Sequence, residues 1–256
     1  MPNKTPRNQL LYLQRLQHLP QLLLPHHGLS RLVGKLAESR IVFLKNALIK
    51  LFIWIYQVNM SEAIQPEPES YESFNDFFTR ALKPEARPVT SLPLGIACPA
   101  DGTLSQFGNI NNERLIQAKG KDFSLINLLG NDQSKIPLFQ DGKFATIYLS
   151  PKDYHRVHMP VSGTLSDMSY IPGKLFSVNQ RTCSMEDELF ARNERMIAYF
   201  DTEYGPMAVI MVGAMIVAGI NTVWGGSIAP CRQQGYTINY KNRERPVYLS
   251  KGEELG

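Results

Sequence analysis

Up to about residue 60 the apolar positions recur at helical spacing, and from about residue 99 they come in short runs cut by turn residues. Leu29, Leu32, Val33 and Leu36 fall at i, i+3, i+4 and i+7, and Leu44, Leu48, Leu51 and Ile55 continue the spacing, which predicts two amphipathic helices. An earlier helix is expected to end near Pro20. Ser61 to Ser70, with Pro66, Pro68 and three glutamates, reads as a polar linker. A short helix through Phe74, Phe77 and Phe78 is expected to cap the module that follows.

Beyond Pro99, the pairs Asp101-Gly102, Asp141-Gly142, Ser162-Gly163, Pro172-Gly173 and Gly205-Pro206 separate apolar segments such as Ala145 to Leu149, Met196 to Phe200 and Ala208 to Val212. This spacing predicts an α+β chain whose largely antiparallel β body, sandwich or barrel-like, is preceded by amphipathic N-terminal helices. Three regions are expected: helices over 1–60, a linker and capping helix over 61–98, and a β-rich body over 99–256.

Charge separates the first region from the rest. The net charge is +4, yet residues 1–60 carry Lys4, Arg7, Arg15, Arg31, Lys35, Arg40, Lys45 and Lys50 against Glu38 alone. A basic, leucine-rich segment on a mildly acidic body suits an anionic surface, either lipid or nucleic acid. Trp54 and Tyr56 beside Lys50 favour the lipid interface, although packing against the body explains helical apolar spacing equally well. No nucleic-acid-binding motif is present. Ile41 to Val58 is interrupted by Lys45, Asn46 and Lys50. Met207 to Ile220 is too short to span a bilayer and reads as buried strand. Cys98, Cys183 and Cys231 are widely spaced and form no Cys-x-x-Cys pair, which fits a reducing, cytoplasmic setting. No secretory signal is expected, because Arg15, His18 and Pro20 break the early apolar stretch.

The segment Tyr154-His155-Arg156-Val157-His158-Met159-Pro160 holds two of the five histidines, and imidazole is the side chain best suited to moving protons near neutral pH. Three residues apart, the two rings share a face if the segment is helical and point to opposite faces if it is extended. A zinc site would need further ligands from a cysteine or carboxylate, none of which stands at recognisable spacing, so no metal is expected. Hydrogen-bonded structural histidines and catalytic ones both remain open on residue type alone. Pro99-Ala100-Asp101-Gly102 reads first as a structural turn; the functional alternative is that Asp101 buttresses a histidine, fixing its tautomer and steadying the imidazolium.

Pro99 to Gly102, Gln117-Ala118-Lys119-Gly120, Tyr154 to Pro160, Leu189-Phe190-Ala191-Arg192-Asn193-Glu194-Arg195, and Gly213-Ala214 with Trp224 together resemble the bacterial membrane-associated phosphatidylserine decarboxylases from about Tyr71 onward. The resemblance implies a self-processing enzyme. An Asp, a His and a Ser act as a serine-protease-like triad, and the serine becomes an N-terminal pyruvoyl group on a smaller chain from the same precursor. Carried over by motif, Asp101 is the orienting acid and His158 the general base. The pyruvoyl carbonyl would form a Schiff base with phosphatidylserine and accept the electrons released with carbon dioxide, leaving phosphatidylethanolamine. His155 is the candidate for handling that proton. The implied partners are phosphatidylserine, an anionic membrane surface on the cytoplasmic side, and the pyruvoyl-bearing chain; a homodimer is left open.

The chain stops at Lys251-Gly252-Glu253-Glu254-Leu255-Gly256, without the family's Gly-Ser-Thr processing motif. Leu255-Gly256 could be the end of a processed larger chain. The Lys-Gly-x-Glu-x-Gly match, to a family segment shortly before the cleavage point, favours truncation instead. Either way the cofactor is expected from a serine beyond Gly256, and the chain alone is expected to be inactive. A serine hydrolase is the competing enzyme class but lacks a Gly-x-Ser-x-Gly elbow. A catalytically incomplete lipid-binding module is the non-enzymatic alternative.

Overall fold

The computed structural model describes residues 25–118, 120–230 and 234–256. The helix expected to end near Pro20, the basic residues before it, His18, Lys119 and Cys231 lie outside these. The elements run α1 (His26–Ala37), α2 (Val42–Tyr56), α3 (Phe74–Phe78), β1 (Thr103–Asn109), β2 (Arg114–Ala118), β3 (Lys121–Ser124), α4 (Leu125–Leu128), α5 (Ile136–Phe139) and β4 (Lys143–Tyr148). They continue with β5 (Gly163–Ile171), α6 (Gln180–Met185), α7 (Leu189–Arg192), β6 (Arg195–Thr202), β7 (Gly205–Val212), β8 (Ile220–Thr222), β9 (Gly226–Ala229), β10 (Tyr236–Asn239) and β11 (Tyr248–Leu249).

Every ladder between these strands is antiparallel. The largest sheet has the order β10-β5-β6-β7, with β11 pairing the start of β5 on the edge that β10 occupies further along. β1-β4, β2-β3 and β8-β9 are separate two-stranded ladders, so the described strands close no barrel. The fold is mixed helix and strand, with antiparallel sheets behind N-terminal helices.

β6 explains why Met196 to Phe200 is continuously apolar. Side chains alternate across a strand, and here both faces are covered. Met196, Ala198 and Phe200 join Met159, Leu165, Met168 and Leu255 in one core. Ile197 and Tyr199 join Leu115, Phe123, Leu125 and Leu129 in another. Between them runs a buried polar seam. Asn193 bonds the backbone of Phe176 and Gly213. Arg195 donates to the carbonyls of Asn127, Leu128, Ala191 and Asn193. Burial pushes the Arg195 guanidinium down to about 10. Gln117 does similar work, tying Cys183, Glu186 and Leu189 together.

Two expectations need correction. Met207 to Ile220 is not one strand: β7 ends at Val212, where Asn193 and Glu194 bind the Gly213 backbone. The next residues form an exposed loop in which Ile216 has φ 74° and its backbone N–H donates to Ser30 on α1. The second departure concerns α2, which is not amphipathic in the expected sense. Lys45 is only 5% exposed, with its ammonium on Asn46 and the Glu69 carbonyl, whereas Phe43 is 85% and Trp54 72% exposed. Ile49 alone on the inner face is fully buried, against Tyr71 and Phe77.

Candidate active site

Residues 157–159 run alongside residues 252–256, with His158 bridged antiparallel to Glu254, so neighbouring side chains there diverge. Met159 enters the core while His158 points the other way. Main-chain bonds hold this segment on two sides. His158 N–H donates to the Pro99 carbonyl at 2.7 Å, and Ala97 N–H donates to Pro160. On the other side Val157 N–H donates to the Gly256 carbonyl at 2.6 Å, Leu255 N–H to Val157, Met159 N–H to Glu253, and Gly252 N–H to Met159. Leu255 is fully buried in the core and anchors residues 252–256 as a strap. Arg156 clamps the arrangement, donating from Nε to the Thr79 carbonyl beyond α3 and from Nη1 to Glu254 on the strap at 2.9 Å.

His158 Nδ1 lies 2.8 Å from the Gly252 carbonyl oxygen, and Nε2 lies 3.0 Å from the Tyr154 hydroxyl. A carbonyl only accepts, so in the neutral ring Nδ1 carries the hydrogen and Nε2 offers its lone pair to the phenol. His155 is placed differently. Its Nδ1 bonds the Asp153 carbonyl at 2.8 Å, its ring packs on Phe78 with centroids 4.0 Å apart, and Nε2 has no hydrogen bond among the described residues. Burial is the main cause holding its basicity below that of an ordinary histidine, and Arg80 adds to it. Nothing joins the two rings directly among the described residues.

Asp101 lies next to this segment through Pro99, but its carboxylate faces Arg87. Oδ1 accepts from Nε at 2.7 Å and Oδ2 from Nη2 at 2.5 Å, while Arg87 also bonds Glu62 at 2.9 Å. The hydrogen bond to Asp101 is the leading reason that the Arg87 guanidinium is even harder to deprotonate than usual. The fold therefore brings Asp101 and His158 onto adjacent backbones without a hydrogen bond between them. Arg80 is buried nearby, with Nη2 on the Lys152 carbonyl, Nε and Nη1 unsatisfied, and its guanidinium weakened chiefly by burial. Among the described residues no group of three or more His, Cys, Asp or Glu could hold a metal ion.

Residues 74–256 match the family model described as phosphatidylserine decarboxylase, and residues 16–57 match one described as PSD. Curated relatives agree. The chain is 57% identical over 243 residues to a phosphatidylserine decarboxylase proenzyme of Pseudomonas putida strain F1, covering 94% of this chain and 85% of the relative. It is 54% identical over 237 residues to the proenzyme of Bordetella pertussis strain Tohama I, covering 92% and 80%. The chain belongs to the phosphatidylserine decarboxylase family.

Tyr154, Arg87 and the Gly252 carbonyl are bonded to the candidate residues His158 and Asp101, and sequence reasoning gave them no role. Tyr154 stands inside the histidine motif, and its phenol four residues before His158 was the available signal. Gly252 stands in the Lys-Gly-x-Glu-x-Gly segment, but nothing there pointed to His158, 94 residues away, and Arg87, which reaches Asp101 across a loop, carried no signal.

Proposed function

We propose that this chain supplies the larger part of a pyruvoyl-dependent phosphatidylserine decarboxylase, a carboxy-lyase converting phosphatidylserine to phosphatidylethanolamine and carbon dioxide. The observation that carries the reading is the 57% identity, over 94% of this chain, to proenzymes of that name. The residues present fit a cofactor carried on following chain. Gly256 sits where an added Cβ would come within 2.1 Å of the Asn221 carbonyl oxygen, so the strap is closely packed there, with the Gly256 carbonyl accepting from Val157 N–H. A pyruvoyl group on that following chain would supply a carbonyl able to accept the electrons released with carbon dioxide.

The chain's own residues divide the proton work. His158 is the general base of self-processing, its Nε2 gaining a proton as a serine hydroxyl is deprotonated while Gly252 holds Nδ1–H in place. Asp101 is the orienting acid and, with its carboxylate on Arg87 and Nδ1–H on Gly252, it steadies the imidazolium through space. His155, neutral and with Nε2 unengaged, handles the proton of decarboxylation. The apolar outer faces of α1 and α2 rest on an anionic bilayer, as a peripheral attachment. Leu32, Phe43 and Trp54 face outward, basic residues flank them, and no described helix is long and apolar enough to cross a membrane.

The test is carbon dioxide release from phosphatidylserine vesicles by the full-length product of the encoding reading frame. Release that hydroxylamine blocks is expected. Vesicle binding without release would replace this reading with a non-catalytic lipid-binding module.

A further inference from the structure

Neither nitrogen of His158 is free. Nδ1 is committed to the Gly252 carbonyl and Nε2 to the Tyr154 hydroxyl. Tyr154 is itself buried, at 8% exposure, and His158 Nε2 is its hydroxyl's only hydrogen-bond partner among the described residues. Its ring lies 5.6 Å from the imidazole at a 30° tilt, beside the strap that ends at Gly256. Packing alone would be served by phenylalanine, whereas a buried phenol needs a partner. The partner here is the one atom able to act as base.

We propose that protons reach His158 through Tyr154, whose hydroxyl is a relay between the hydroxyl nucleophile of self-processing and Nε2. The proposal rests on the self-processing reading given above. A phenol hydroxyl both donates and accepts, so one bond serves both states of the ring. As the nucleophile's oxygen bonds to the carbonyl carbon, its hydrogen passes to the Tyr154 oxygen and the phenol hydrogen passes to Nε2. The ring is then an imidazolium, with Nδ1–H still on Gly252 and Nε2–H donating to the phenol oxygen. When the carbon–nitrogen bond breaks, the two transfers reverse and the leaving nitrogen takes the proton. No oxidant or second reactant is required, and Tyr154 ends as it began. Direct deprotonation by Nε2 would instead require the phenol to give up its bond to that nitrogen.

The experiment compares self-cleavage of the full-length precursor, unsubstituted and as His158→Ala and Tyr154→Phe, followed on denaturing gels and by intact mass across a pH series. Tyr154→Phe is expected to fold, with an unchanged circular dichroism spectrum, and to cleave roughly a hundredfold slower or worse, the usual loss when a proton-transfer group is removed. Cleavage by Tyr154→Phe at the unsubstituted rate, or faster because the lone pair is uncovered, overturns the relay. Should Tyr154→Phe misfold, a fluorotyrosine at position 154 keeps the shape and acidifies the phenol. A shifted pH–rate profile is then expected, and an unchanged one overturns the proposal. An unsubstituted precursor that never cleaves overturns the self-processing reading and the relay together, whereas normal cleavage with an indifferent residue 154 overturns the relay alone.

Discussion

The central sheet and the N-terminal helices treat apolar side chains in opposite ways. In β6 the run from Met196 to Phe200 is buried on both faces, and the charged Arg195 beside it is satisfied by carbonyls. In α2 Lys45 is buried and satisfied, while Phe43, Leu51, Trp54 and Ile55 point outward. Apolar area removed from water stabilises at roughly 25 cal/mol per Å² wherever it goes. The sheet collects that stabilisation within the chain. The helices leave it available to another apolar phase. Amphipathic pattern thus reports how much apolar surface a helix offers, and only the partner surface decides which way it faces.

The sharpest way to break this contrast is at the two ends of the molecule's work. His158→Ala in the full-length precursor should leave a folded protein that does not self-cleave, because a hydroxyl is a poor nucleophile without its base. A normal pair of bands on a denaturing gel would refute the assignment. Phe200→Ala, in the sheet core against Trp224, should lower unfolding stability by about 3–5 kcal/mol through cavity formation. The double change Phe43→Ser and Trp54→Ser should alter stability by no more than about 0.5 kcal/mol at each site, yet weaken cosedimentation with phosphatidylserine vesicles by roughly tenfold or more. A large stability loss in the helix variant would mean that this face is covered by protein rather than lipid.

The strands were legible because turn pairs mark where they begin: Asp141-Gly142 sits directly ahead of β4, and Ser162-Gly163 straddles the start of β5. The spacing of Leu29 to Ile55 likewise located α1 and α2. What it could not carry was their orientation, since a helical pattern is the same whether its stripe meets protein or lipid. The histidine segment was legible as a proton-handling candidate for chemical reasons, and in the fold its two rings take separate partners. Their partners were not legible. The Gly252 carbonyl belongs to a main chain that any residue supplies, and the Asp101–Arg87 pair depends on how a loop closes. Glu194 and Arg195 read as motif residues, and they turn out to be internal supports because burial inverts the usual expectation for charge.

His155 offers a finer cut within the site itself. His155→Ala should leave self-cleavage intact and suppress decarboxylation, measured as carbon dioxide release after the two chains have formed. Equal loss of both reactions would sink the division of labour between the histidines and return the motif to a single function.

The smallest expected effect lies in the pH dependence of stability. Burial lowers the basicity of His155 in the folded state, so between its folded midpoint and about 6.5 the unfolded chain binds more protons than the folded one. The contribution of His155 is therefore fully present above about pH 6.5 and is lost as pH falls through the folded midpoint. The slope from one such proton cannot exceed about 1.4 kcal/mol per pH unit. His155→Gln should accordingly lose less stability than the unsubstituted protein when denaturant unfolding is compared at pH 7.5 and 5.5. Ring-proton resonances should also show His155 titrating below the ordinary histidine midpoint. A His155 that titrates at or above that midpoint would mean that the Phe78 contact leaves the ring open to water, and its proposed role as a neutral proton carrier would go with it.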